Sequence, residues 1–155
     1  WSKLLINSAF SGLSTVTGST FGEVSKLKSS RRVAQRIIKE CIDVAKAADI
    51  RIEPVQGHKI DKLFDYGGWL KKQISFALIP VAMKKHGKLI SSMLQDLKKG
   101  KQCEIDFING VVCEYGKKYH VPTPFNQKTV EIVHAIEAGS YPIEFKNIDL
   151  YRDLF

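Results

Sequence analysis

The chain has 155 residues, 44% of them hydrophobic, with a mean hydropathy of −0.13, enough for one domain that buries a real core. A net charge of +8 and a pI near 9.4 admit anionic substrates, nucleic acid or membrane surfaces as partners. The longest apolar run, residues 74–83, contains Pro80 and falls short of the roughly 18 residues a membrane span needs, and no charged-then-apolar leader is present.

Residues 1 to about 16 read as a buried helix, with Leu5, Ala9, Leu13 and Val16 on one stripe. A Gly/Ser/Thr break covers 17–22. Ser29 or Ser30 then caps a long helix to about Ala48, the clearest in the chain, whose positions Val33, Ile37, Cys41, Val44 and Ala48 keep helical spacing. Residues 49–58, with Pro54 and Gly57, form a connection. A helix is expected near 60–66, then a break at Gly67-Gly68. A longer apolar helix runs from 69 towards 85, where Pro80 implies a start or a kink. Gly87 precedes a helix over about 89–99 that Gly100 closes. Residues 104–119 are helical, with Ile105, Ile108, Val112 and Tyr115 inside. Val121-Pro122-Thr123-Pro124 is an extended link, and Asn126 caps a last helix to about Ala138. The tail 139–155 is an irregular wrap or a short helix. No segment alternates as a strand does, so the expected fold class is all-α. The chain opens at Trp1 inside a patterned segment and without Met, which predicts an excised piece of a longer protein.

Three cysteines (Cys41, Cys103 and Cys113) and no CxxC predict neither a disulfide framework nor a zinc site, but reduced thiols in the cytoplasm. The cations fall in short pairs such as Arg31-Arg32, Lys84-Lys85 and Lys98-Lys99, as on solvated helix faces. With no helix-turn-helix or RNP-like pattern beside them, a nucleic-acid partner is not expected. His58, His86, His120 and His134 lack HxxxH or HExxH spacing, so no metal site is expected.

Two constellations can carry chemistry. Lys3, Asn7 and Ser11 stand at i, i+4 and i+8, one row on a single helix face. The first acidic residue is Glu23, so Lys3 has no local counter-ion, and partial burial would lower its pKa towards that of a proton donor. The row reads equally as the wet face of an amphipathic helix. The second constellation is Ser91-Ser92-Met93-Leu94-Gln95-Asp96 followed by Cys103-Glu104-Ile105-Asp106-Phe107-Ile108-Asn109-Gly110. Ser92 and Asp96 share a face, and Glu104 sits in a first turn where the helix dipole favours an ionised carboxylate. Capping and first-turn stabilisation account for these residues as well.

The opening Trp-Ser-Lys-Leu-Leu-Ile-Asn, the Ser-Ser-Met-Leu-Gln-Asp and Glu-Ile-Asp-Phe-Ile-Asn-Gly segments, and Val121-Pro122-Thr123-Pro124 followed by Asn126 together resemble the C-terminal domain of ketopantoate reductase, from residue 1 to about 137. The resemblance implies an all-α, multi-helix domain of the 6-phosphogluconate-dehydrogenase-C-terminal-like type, lacking its Rossmann partner. No GxGxxG occurs in this chain, in keeping with a cofactor loop on that partner. The implied reaction is hydride transfer from NADPH to the ketone of 2-dehydropantoate, on the route to pantothenate and coenzyme A, with the isolated domain inactive.

The same resemblance makes Lys3 the proton donor and Glu104 the acid of the pocket, catalytic and in contact with the cofactor. Asn7, Ser11 and Ser92 become substrate-binding residues. Ser11 stands where the best-known pattern has a second asparagine, and Leu89 where some members have another polar contact. Both departures keep a reductase for another 2-keto acid open. The more apolar segment 69–86 is the candidate face of a homodimer. From a different class, a basic helical binding or dimerisation module is the remaining reading.

Overall fold

The computed structural model describes residues 1–54 and 59–155; Gly57 and His58 of the expected connection lie outside the described residues. All regular elements among the described residues are helical. The chain opens with α1 (Ser2–Ile6), a π-helical turn (Asn7–Ser11) and α2 (Gly12–Thr17), one continuous rod that ends at Gly18, whose φ of 70° is left-handed. The sequence predicts the rod but not its wide turn.

A short helix α3 (Phe21–Lys26) fills the expected break. Thr20 and Glu23 form a capping box: the Thr20 hydroxyl accepts from Glu23 N at 3.2 Å, and Glu23 Oε2 accepts from Thr20 N at 2.7 Å. That Thr-x-x-Glu signature stands in the sequence unread. Because α3 runs almost directly into α4 (Lys28–Ala47), Leu27 sits at the cap. Ser30 therefore lies inside the helix and donates to the Val24 carbonyl at 2.9 Å.

Then follow α5 (Ile60–Phe64), α6 (Trp69–Ala82), a 3₁₀ turn (Lys84–His86) and α7 (Ser92–Lys98). Pro80 lies inside the last turn of α6, neither starting the helix nor ending it at once, and withholds one i→i−4 donor there. The helix expected from about 89 begins at Ser92, because the Ser91 hydroxyl accepts from Leu94 N at 2.9 Å and caps it. A second π-helical turn (Asp106–Gly110) leads into α8 (Val111–Lys118). The last α-helix, α9 (Pro124–Glu137), starts three residues earlier than expected, with Thr123 at the cap and Pro124 in its first turn. Asn126 is fully buried and serves another purpose. The tail folds as a 3₁₀ stretch (Phe145–Leu154) against α2, α4 and α9.

Helix α4 is the axis of the domain. It packs against α1, the first π turn, α3, α5, α6, α8, α9 and the tail, and its Val33, Ile37, Cys41 and Val44 are almost wholly buried. No helix among the described residues is long and apolar enough to cross a membrane.

The approach of α3 to the segment before α7 is backbone on backbone. Gly22 N donates to Gly87 O at 3.0 Å and Phe21 N to Leu89 O at 2.8 Å. A Cβ on Gly22 would stand 2.6 Å from Gly87 O. Gly22→Ala is therefore expected to destabilise the protein by about 2 kcal/mol through overpacking, read as a lower urea midpoint. An unchanged midpoint would show that the two strands of backbone can part at no cost.

Candidate active site

The sequence-derived candidates sit on three elements that meet. The π turn carrying Asn7 and Ser11 packs against α7, which Ser92 heads, and against the turn Asp106–Gly110, which closely follows Glu104. Lys3 precedes that turn on α1. Lys3, Ser92 and Glu104 are exposed, Asn7 is half-buried and Ser11 is buried. Among the described residues no hydrogen bond or ion pair joins any two of the five side chains.

The predicted straight row of Lys3, Asn7 and Ser11 is not straight. It passes from solvent at Lys3 to the interior at Ser11, because a turn closed by i→i+5 bonds carries more residues than an α turn and swings the later position round. Lys3 is exposed rather than partly buried, so the burial expected of it is not found in this chain by itself. Among the described residues Lys3 makes no ion pair.

Two buried hydrogen-bond systems fix the elements that bear these residues. In the first, Ser91 is tied to α2. Ser91 N donates to Ser14 Oγ at 3.2 Å, and the Ser91 and Thr15 hydroxyls stand 2.9 Å apart. Ser91 thus fixes the start of α7, and with it the place of Ser92. In the second, Asn109 of the second π turn reaches across to the first. Its Nδ2 donates to Ser8 O at 3.1 Å and to Asn126 Oδ1 at 2.9 Å. A wide turn loosens the i→i−4 ladder, and a side-chain amide that takes one of its carbonyls steadies it. Gly12 leaves room for this amide, since a Cβ there would stand 2.9 Å from Asn109 Oδ1.

The relay ends on Glu40 of α4. Its carboxylate accepts from Phe125 N at 2.9 Å, Asn126 N at 3.0 Å and Asn126 Nδ2 at 2.7 Å, so it takes the place of a cap for α9. Burial nevertheless pushes the Glu40 carboxyl up to about 7, against these donors and Arg36. Sequence reasoning passed over Asn109 and Glu40, and read Asn126 as a cap. The available signal was a polar residue set inside each apolar stripe: Glu40 beside Cys41, and Asn109 between Ile108 and Val112.

Replacing Asn109 by Ala should strand Ser8 O and Asn126 Oδ1 without their donor, at a cost of about 2 kcal/mol. Asn109→Asp should fail to rescue, having no amide to donate. Equal urea midpoints for wild type and Asn109→Ala would remove the amide as the clasp.

Asp106, which the sequence assigns to the scaffold, faces His134 at 3.1 Å on the surface. The three cysteines are free thiols, and burial raises all three above the ordinary thiol range, Cys113 to about 11, so none is poised as a nucleophile.

The family described as "Ketopantoate reductase PanE/ApbA C terminal" matches residues 1–137. The 2-dehydropantoate 2-reductase of Aquifex aeolicus is 30% identical over 135 residues, which are 87% of this chain and 39% of that protein. The crystal structure of a PanE/ApbA family ketopantoate reductase from Ralstonia eutropha superposes with a TM-score of 0.69 at 25% identity, over 90% of this chain and 41% of the other. A ternary structure of D-mandelate dehydrogenase with NADH and anilino(oxo)acetate does so with a TM-score of 0.69 at 27% identity, over 90% and 40%. The chain thus spans about two fifths of the length of these relatives.

Proposed function

The chain belongs to the family of ketopantoate reductase PanE/ApbA C-terminal domains, and from that premise we propose that it is the substrate-binding, proton-donating domain of an NADPH-dependent 2-dehydropantoate 2-reductase. In the whole protein an N-terminal Rossmann domain would carry the cofactor, residues 1–155 acting as one C-terminal domain in the cytoplasm. The observation that carries the reading is the π turn of Asn7 and Ser11, held in contact with both α7 and the turn after Glu104.

Lys3 and Glu104 are exposed and, among the described residues, free of ion pairs, which suits groups that meet a ligand presented by another domain. NADPH, when bound, supplies the hydride to the carbonyl carbon. Asn7, Ser11 and Ser92 are small neutral groups that can hold the carboxylate and hydroxyl of the keto acid in one orientation. As the carbonyl oxygen gains negative charge, the Lys3 ammonium stabilises it and delivers a proton, leaving a secondary alcohol. Glu104 would close the pocket and contact the bound cofactor.

A second reading has its own support. The likeness to D-mandelate dehydrogenase bound to NADH, with Ser11 and Leu89 as the departures, favours a reductase for another 2-keto acid or with NADH. Leu89 is about half exposed beside the start of α7. Steady-state assays of the full-length protein with ketopantoate and a panel of 2-keto acids, each with NADPH and NADH, decide between the two. Ketopantoate with NADPH is expected to give the highest kcat/KM, and faster turnover of another acid would overturn the preferred substrate. We also place the homodimer contact on α6, whose Trp69, Leu70 and Val81 are largely exposed although apolar.

A further inference from the structure

Between α4 and α6 lies a pocket of about 350 Å³, within the ~300–1,000 Å³ of small-molecule sites. Arg32 and Arg36 enter it from α4, Lys72 and Gln73 from α6, and Phe76 and Phe155 form its aromatic walls. No Asp or Glu side chain is among its lining residues. Among the described residues Arg32, Arg36 and Lys72 make no ion pair and no side-chain hydrogen bond. The nearest acid along α4, Glu40, has its oxygens committed to Phe125 and Asn126. A fourth cation, Arg31, lies over the Phe76 ring at 4.2 Å, and its buried Nε has no acceptor among the described residues. Burial and then the charges of Arg36 and Arg32 hold the Lys72 ammonium below its usual range, as expected where cations crowd without an anion.

We propose that this pocket binds a small phosphate-bearing anion with a flat aromatic body, of the nucleoside monophosphate class. Guanidinium forks match phosphate oxygens with paired hydrogen bonds, and the Lys72 ammonium adds a mobile third charge. The exposed Phe155 ring, and Phe76 on the side that Arg31 does not cover, offer aromatic surface against which a base can lie. None of the pocket's residues lies on the elements bearing Lys3, Asn7, Ser11, Ser92 or Glu104, so the inference does not depend on the reductase reading.

Calorimetric titration at low ionic strength with AMP, inorganic phosphate and adenosine tests it. AMP should bind, phosphate at least tenfold more weakly, and adenosine not measurably. Arg36→Gln and Lys72→Gln should each weaken AMP at least tenfold. Without ligand, each substitution should leave the thermal midpoint unchanged or raise it, since it removes one of several mutually repelling charges. Equal affinity for AMP and phosphate would overturn the aromatic part of the site. Binding of AMP that survives both substitutions would overturn the site itself. Loss of binding together with a lower ligand-free midpoint would make the cations structural and also overturn it.

Discussion

Lys3→Ala in the full-length protein is expected to lower kcat by roughly 10²–10⁴-fold, the usual weight of one positioned proton donor, with KM little changed. In free energy this is about 3–5 kcal/mol of transition-state stabilisation. The ammonium is needed where charge develops on oxygen and far less in the ground state, so its removal should act on turnover. Lys3→Arg should not restore the rate, because a guanidinium holds its proton too tightly to give it up. The surroundings of Lys3 favour the role: it is exposed and makes no ion pair among the described residues, so no carboxylate competes for it. A variant with unchanged kcat and raised KM would leave Lys3 as a binding group and remove it as the acid.

The second large effect is on stability and its pH dependence. The Glu40 carboxyl is raised by burial from an ordinary 4.5 to about 7. Its folded-state value lies above its unfolded value, so its contribution is complete below about 4.5 and is lost as pH rises through about 7. Over that window the Glu40 contribution should fall by about 3 kcal/mol. Arg36 opposes the shift, while Cys41 and Tyr151 stand by uncharged. Urea denaturation between pH 5 and 8 reads the slope directly. Glu40→Gln, neutral at every pH and close in shape to the protonated acid of wild type at pH 5, should show a flatter dependence. Parallel curves for the two proteins would mean that Glu40 does not titrate in this range.

Much of the fold was legible where one face of a helix carries the whole signal. Helix α4 and the end of α2 at Gly18 follow from apolar period and glycine placement, and both stand within a residue or two of expectation. Helix α3 was passed over because six residues hold too little apolar period, although Thr20 and Glu23 announce its start. Asn126 shows the opposite failure. An asparagine after Pro124 reads as a cap, yet the cap groups of α9 are met by a carboxylate from α4, 86 residues earlier in the chain. Long-range hydrogen bonds of this kind leave no periodic trace. At the site, the residue types were legible and their burial was not: a row drawn at i, i+4, i+8 assumes uniform winding, and winding here changes between Lys3 and Ser11.

That change of winding sets a rule for how the first helix tolerates altered length. A π turn holds one more residue per closed ring than an α turn, so it winds each residue through less than the roughly 100° of an α-helix and takes up one extra residue between Ser2–Ile6 and Gly12–Thr17. Removing a single residue within 7–11 would restore even winding and keep every hydrogen bond of a regular helix. The flanking helices, and Lys3 with them, would keep their orientation relative to Leu13 and Val16. Asn7 and Ser11, which ride on the wide turn itself, would instead lose their places. Domain exchanges with relatives should therefore match residue number across this turn before they match residue identity.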